Sequence, residues 1–289
     1  MSGFAIQNQT LSTDCNATLA GMIGKTRHSD ENHLSEAHLA FGQGCGVLQH
    51  SPPPGPYRHT RYAPSDKLSD WVEHFWLEAW QFPDSTVHTR EVLPHPSVHL
   101  VFAPGRSRIY GIQSERFVRE LKGQDSIFGI KFRPGAFYPF FRRPVHSIAN
   151  RSILATQVFS DATDVEKEVL ACGNAHGMVD MAERFLLENL PPSDPNAESA
   201  RRAVEQIVRD RDLTRVQHLV ERLGVPERTL QRLFWRYVGI NPRWVIKRYR
   251  MYEALEQLTE GRPSIIATMA QNLGYFDEGG WPPSPASRL

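Results

Sequence analysis

The sequence lacks most of the features that assign a catalytic or membrane class. Its 289 residues hold three cysteines, Cys15, Cys45 and Cys172, far apart and with no C-x-x-C pair. That excludes a disulfide scaffold and a cysteine-based zinc site, and it fits a reducing cytoplasm. No apolar run reaches the roughly 18 residues that a membrane-spanning helix needs. Met1–Thr10 has neither a basic n-region nor an apolar h-region, so no secretory signal is expected. Excess charge is absent too: 33 Lys and Arg oppose 32 Asp and Glu, for a net +1. Any polyanion-binding surface must therefore arise by local segregation of charge. There is no G-x-S-x-G, Walker A, H-E-x-x-H or G-x-G-x-x-G, and no spacing orders Ser, His and Asp into a triad. The chain is read as non-enzymatic, an enzyme acting on a small molecule having only an aromatic pocket in its favour.

What is present divides the chain. Residues 1–56 are rich in Ser, Thr, Asn, Gln, His and Gly and close on Ser51-Pro-Pro-Pro-Gly-Pro56. Their apolar residues follow neither period 2 nor period 3.6, so burial cannot offset the ordering entropy and disorder is expected. A misassigned start would produce the same composition. From Tyr57 the pattern changes to short runs, Val87–Leu93, Ser97–Ala103, Arg108–Ile112 and Glu115–Leu121, punctuated by Pro94, Pro96, Pro104 and Gly105. These predict a small, mostly antiparallel β layer, with Ser126–Phe132 a further strand. Lys67–Trp76 spaces Leu68, Trp71, Val72 and Phe75 like a helix, its end reading also as strand.

Beyond Arg133-Pro134-Gly135 the character is helical, over Ala136–Phe141, Asp161–Ala171 and Met178–Leu190. Pro191, Pro192 and Pro195 then stop a helix and favour extended backbone. The expected fold class is α+β. It comprises a disordered segment 1–56, an α+β sensor or oligomerisation domain 57–190, a linker 191–196 and an all-α domain 197–289.

The all-α part carries the informative chemistry. Ala203, Val204, Ile207 and Val208 give a first helix its apolar face. Thr214 and Gln217 have capping-box spacing before a helix that buries Val216, Leu219, Val220 and Leu223 and ends at Gly224. Val225-Pro226-Glu227 opens the next helix, with Pro suited to its first turn and Glu227 to its dipole. Leu230, Leu233, Phe234 and Tyr237 face inward there, and Arg228, Gln231, Arg232, Trp235 and Arg236 face outward. Helix, glycine turn and basic second helix make the layout of a helix-turn-helix. Between Val225 and Tyr252 the cations are Arg228, Arg232, Arg236, Arg243, Lys247, Arg248 and Arg250, against the single acid Glu227. Such segregation suits a polyanion surface, because each phosphate neutralised releases counterions. Arg and Gln are also the side chains that pair bidentately with guanine and adenine edges. The competing reading is a solvated basic helix whose arginine stems cover apolar surface.

Ala203 to Asp277 resembles the DNA-binding domain of the AraC/XylS family of bacterial transcription regulators. The residues that carry the resemblance are Leu219 to Gly224, Thr229-Leu-Gln-Arg-Leu-Phe234, Gly239-Ile-Asn-Pro242 with Trp244, Val245–Leu258, Ser264-Ile-Ile-Ala-Thr-Met-Ala270 and Leu273-Gly-Tyr-Phe-Asp277. The resemblance implies two helix-turn-helix units joined by a long helix, here Pro242 to about Thr259 with Asn241 as cap. It implies base-facing positions at Arg228, Gln231 and Arg232. Trp235, Arg236, Arg243 and Lys247 fall toward the DNA backbone. The second unit begins normally at Ile265, Ile266, Met269 and Ala270, with Leu273-Gly274 as its turn. The continuation Glu278-Gly-Gly-Trp-Pro-Pro-Ser-Pro-Ala-Ser-Arg-Leu289 departs from the family, since its glycines and prolines preclude a second recognition helix. A truncation or frameshift, leaving the first unit to bind alone and weakly, is the expectation there.

Gly129-Ile-Lys-Phe-Arg-Pro-Gly135, with Phe137, Pro139-Phe-Phe141 and Pro144-Val145, resembles the N-terminal module of uncharacterised members of the same family. That implies a sensor or self-association role and no particular ligand. Trp71, Phe75, Trp76, Trp80, Phe128, Phe132, Phe137, Phe140 and Phe141 suit either a plain aromatic core or an apolar pocket, with Trp76, Phe132 and Arg133 as its candidate residues. His95 and His99, four apart on an expected strand, share a face with each other; with His88 they suggest a metal only weakly, for no carboxylate or cysteine stands at ligand spacing. Arg133 suits a structural ion pair better than an anionic effector.

The whole reads as a cytoplasmic, sequence-specific DNA-binding transcription regulator. Double-stranded DNA is the expected partner, with a small-molecule effector, RNA polymerase and a second copy of the chain as further candidates. No cofactor and no metal are expected. The alternative is a ligand-binding or protein-interaction module with a degraded DNA-binding domain.

Overall fold

The computed structural model describes residues 47–48, 53–115 and 117–259. The expected second helix-turn-helix unit and the tail after Asp277 lie outside the described residues, as does most of the segment expected to be disordered. The part of that segment that is described includes Val47–Leu48, a short strand paired with Val92 and Glu91.

Two antiparallel sheets form the N-terminal half. One has three strands in the order β1 (Val47–Leu48), β4 (Val87–Val92) and β7 (Phe117–Lys122). The other has six, in the order β2 (Tyr57–Tyr62), β3 (Val72–Gln81), β8 (Gln124–Phe132), β5 (His99–Phe102), β6 (Arg108–Tyr110) and β9 (Ser152–Leu154). The β layer is thus larger than the run lengths suggest. β2 escapes a search for apolar alternation because Tyr57-Arg-His-Thr-Arg-Tyr62 is polar on both faces. The helical spacing of Lys67–Trp76 resolves into a turn followed by β3, which starts at Val72.

Period-2 alternation sorts the six-stranded sheet into two unlike faces. On one, Phe75 and Leu77 of β3, Phe128, Ile130 and Phe132 of β8, and Leu100 and Phe102 of β5 are fully buried. They pack with α1 (Tyr138–Phe141), α2 (Ala162–Ala171) and α3 (Ala175–Glu188), through residues such as Phe141, Val169 and Phe185. Burying each such phenylalanine contributes about 1.5–3 kcal/mol. The other face is polar and is described below.

The C-terminal half is a second, all-helical core. It comprises α4 (Pro195–Arg209), α5 (Val216–Leu223), α6 (Glu227–Leu233) and α7 (Pro242–Thr259). Helix α4 begins inside the stretch expected to be a linker. Pro195 occupies its first turn, where a missing N–H costs nothing, and Asp194 caps it by accepting from the N–H groups of Asn196 and Ala197. Ala203, Val204 and Ile207 bury the expected face against Leu219, Leu230, Phe234, Val245 and Ile246. Tyr138, Ile240 and Trp244 touch both cores, so the two halves are in contact.

Candidate nucleic-acid interface

The first helix-turn-helix unit forms as its residues dictate. Helix α5 ends at Gly224, whose φ of 64° is left-handed and suits glycine. Its start differs from expectation. Arg215, in extended conformation, is the N-terminal flanking residue, and no side chain caps the helix, so Thr214 and Gln217 form no capping box. Gln217 instead donates to Glu221 at 3.2 Å, one turn along. Pro226 precedes α6, and Leu230 anchors that helix in the core. After Leu233 the coil widens into a π turn, Phe234–Val238, closed by the Gly239 N–H donating to the Phe234 carbonyl at 2.7 Å. Gly239 has φ 97°, and a Cβ there would lie 2.8 Å from the Val145 side chain. The end of α6 can therefore nest on the N-terminal half only with glycine at that position. Asn241 caps α7 as expected, accepting from the Trp244 N–H at 2.8 Å, and α7 spans the residues assigned to the linker helix.

The outer residues of α6 and of the π turn after it divide into two sets. Arg228, Gln231 and Arg232 are exposed. Gln231 donates to Glu227 at 2.8 Å, one turn back on the same helix, and any base contact must exchange this bond. Trp235 and Arg236, one turn on, lean on the N-terminal half. The Trp235 ring is half exposed at 51% and stacks on His146 at 4.4 Å. Arg236 donates to the Tyr138 hydroxyl from Nε at 2.9 Å and lies over the Tyr138 ring at 5.0 Å; these contacts raise its already high pKa. Arg243 is exposed and Lys247 half-buried on α7.

Two of the seven clustered cations serve the fold. Arg250 is 1% exposed and donates to the carbonyls of Ile207 and Asp210, which end α4, while pairing with buried Glu253 at 3.1 Å. Burial lowers its pKa, offset in part by Glu253. Arg248 lies over the Trp244 ring at 4.7 Å, and both side chains point donors at the Ser114 carbonyl, Trp244 at 3.3 Å. The basic surface is therefore smaller than the cation count suggests.

Helix α7 is also held to the N-terminal half by its tyrosines. The Tyr252 hydroxyl is shared between the Leu93 and Pro94 carbonyls, each at 2.9 Å, and the His95 ring meets Tyr249 and Tyr252 at 5.4 and 5.8 Å. His95 thus sits in the loop before β5, and only His99 lies in the strand. His88 packs edge-on to Phe82. Among the described residues no group of three or more side chains is placed to hold a metal.

The three candidate pocket residues are not brought together. Phe132 is in the main core beside Phe137 and Phe140, at 4.9 and 5.5 Å. Trp76 lies on the opposite face of the sheet. Arg133 donates to the Ser69 carbonyl and braces the turn before β3. The other aromatics on the first list form cores, mainly that between the six-stranded sheet and the helices.

Residues 219–280 match a family model described as a helix-turn-helix domain. That model is of the AraC type, so residues 219–280 are similar to an AraC-type helix-turn-helix domain. Residues 60–154, from within β2 to the end of β9, match a domain of unknown function (DUF6597). The pair of domains is consistent with an AraC/XylS-family regulator, and the helix-turn-helix domain supports DNA as a partner. No curated protein and no solved structure matches the chain. Among the described residues no helix is long and apolar enough to cross a membrane.

Proposed function

We propose that this chain is a cytoplasmic transcription regulator that reads promoter DNA in the major groove through α6. Arg228, Gln231 and Arg232 face base edges, and Arg243 and Lys247 lie toward phosphates. Trp235 and Arg236 belong to the same DNA-facing set but are engaged by His146 and Tyr138, so DNA contact and the state of the N-terminal half compete for them. Residues 57–190 act as a sensing or self-association domain, with the chain passing through 191–196 to the DNA-binding domain. The observation that carries this reading is the open position of Arg228, Gln231 and Arg232 on the helix after the Gly224 turn, where Leu230 and Phe234 hold the opposite face in the core.

The test is gel retardation of the full chain on promoter and random duplexes across a salt series. Binding should weaken log-linearly with salt, with a slope of about −0.9 per phosphate neutralised, and promoter DNA should be retained at least about tenfold more tightly than random DNA. No retention of either duplex at low salt would overturn the reading.

A further inference from the structure

The polar face of the six-stranded sheet has no counterpart in the DNA-binding reading. Strand register assembles it. Arg61 of β2 lies opposite Trp76 of β3, and His59 opposite Glu78. Trp76 lies opposite Gly129 of β8, His74 opposite Lys131, and Lys131 opposite His99 of β5. At one end the three-stranded sheet covers it: Arg90 pairs with buried Glu78, which also accepts from Tyr57 at 3.0 Å and faces Arg119 at 3.8 Å. At the other end His95 stands against Tyr249 and Tyr252 of α7. Between these ends His59, Arg61, Trp76 and His99 are only half-buried, so the surface is reachable.

Three features of this face point to one kind of ligand. The first is unmet hydrogen bonding. Four buried side-chain polar atoms that lack a hydrogen-bond partner among the described residues converge here: Arg61 Nε, His74 Nδ1, Trp76 Nε1 and Arg90 Nε. Nε of both arginines and the indole nitrogen are obligate donors, so what they lack is an acceptor. Such groups are costly to bury unpaired. The second is charge. Arg61, Arg90, Arg119 and Lys131 gather here, the Lys131–Glu73 pair at 2.8 Å and the Arg90–Glu78 pair engage the acids Glu73 and Glu78, and Arg119 lies between Glu78 at 3.8 Å and the field of Asp125. Among the described residues Arg61 has no ion pair. The histidines add nothing to this charge, because burial, then neighbouring cations, holds His59 and His99 down at about 3. The third is shape. The Trp76 indole lies flat against the strand where Gly129 has no side chain, with the His99 ring edge-on at 6.2 Å.

We infer that this face binds a small organic carboxylate carrying a planar ring, the carboxylate on Arg61 and the Trp76 indole N–H and the ring beside Trp76 and His99. The inference deepens the sensing role proposed above for residues 57–190 and rests on it for its biological meaning. It does not rest on it for the chemistry of the site. Its position also gives the ligand a short route to the DNA-binding half, through Lys131, His99 and His95 to Tyr249 on α7.

The test is calorimetric titration of the full chain with benzoate, with benzamide as its neutral isostere and with inorganic phosphate. Benzoate should bind, and benzamide and phosphate should each bind at least about tenfold more weakly. Arg61→Gln removes a cation with no ion pair among the described residues, so the fold should persist, and benzoate affinity should fall by about tenfold or more. Equal affinity for benzamide or phosphate, unchanged affinity in Arg61→Gln, or no benzoate heat up to about 10 mM would overturn the site. Repeating the titration with promoter DNA separates the two levels. Benzoate binding that leaves DNA affinity unchanged upholds the site and removes the sensing role.

Discussion

Gly129 is the position at which the smallest change has the most calculable effect. A Cβ at residue 129 would lie 2.2 Å from Cε2, 2.3 Å from Cζ2 and 2.5 Å from Nε1 of Trp76. Ordinary contact begins near 3.4 Å, so the indole must move by roughly 1 Å or turn out of its place. The backbone at Gly129 is not left-handed, so alanine suffers no φ strain and even gains about 0.4–1 kcal/mol by restricting the unfolded chain. Overpacking of this kind costs about 1–3 kcal/mol, leaving a net loss of about 1–2 kcal/mol for Gly129→Ala. At about 2–4 °C per kcal/mol, the melting temperature should fall by about 2–8 °C. Urea unfolding of the wild type, Gly129→Ala, Trp76→Ala and the double variant closes a thermodynamic cycle. With the indole gone, the alanine should cost almost nothing, a coupling of about 1 kcal/mol or more. The same loss in both backgrounds would refute the reasoning, because the strain would then not lie at Trp76.

Two further outcomes follow from buried groups. Arg250→Met should destabilise by about 3–5 kcal/mol, since it takes the nearer cation from Glu253, itself 1% exposed, leaving Arg211 at 4.0 Å, and frees the last carbonyls of α4. Adding Glu253→Leu should recover much of that loss in chemical denaturation, and a double variant as unstable as the single one would contradict the account. Acid should also weaken the fold. His59, His74, His95 and His99 all have pKa values below that of a free imidazole, chiefly through burial. Above about pH 6.5 both folded and unfolded chains are neutral at these sites and the stability is fully present. Below it the unfolded chain takes up protons that the folded chain refuses, down to about 3 for His59 and His99, so stability falls with pH. Each imidazole contributes at most about 1.4 kcal/mol per pH unit, less for the half-buried ones. Equal urea midpoints at pH 7.5 and 5.5 would show that these rings are not held neutral.

Local signals in the chain announced much of this architecture. The turn at Gly224 and the inward set Leu230 and Phe234 follow from helical period and capping chemistry, the span of α7 from Pro242 from the family resemblance, and the structure places them so. The strands over 87–132 emerge from proline punctuation and alternation. What stayed hidden depends on partners distant along the chain. Arg250 looks like one more surface cation, yet it follows Ile246 by one turn and sits beside Tyr249 on the buried stripe, and its i, i+3 pairing with Glu253 was the available clue. Trp235 and Arg236, in the π turn after α6, are outward by period alone, and only tertiary contact brings them to His146 and Tyr138. The polar sheet face was written in the strands: His74, Trp76, Glu78 and Trp80 alternate with Phe75, Leu77 and Ala79. Its meaning needs β2, β5 and β8 alongside, and their register cannot be read from one strand. Trp76 and Phe132, sketched as one pocket with Arg133, are kept apart for the same reason, since neighbours in pattern stand on opposite faces of a sheet.

The claim at the centre of the account is that α6 reads bases, and Arg232 tests it most directly. Binding of the wild type and Arg232→Ala should be measured on a promoter duplex and on a panel in which each base pair is varied in turn. Base reading predicts a loss of about 1–3 kcal/mol on the promoter and a relaxed preference at a single position. An equal loss on every duplex of the panel would place Arg232 on phosphate and contradict it.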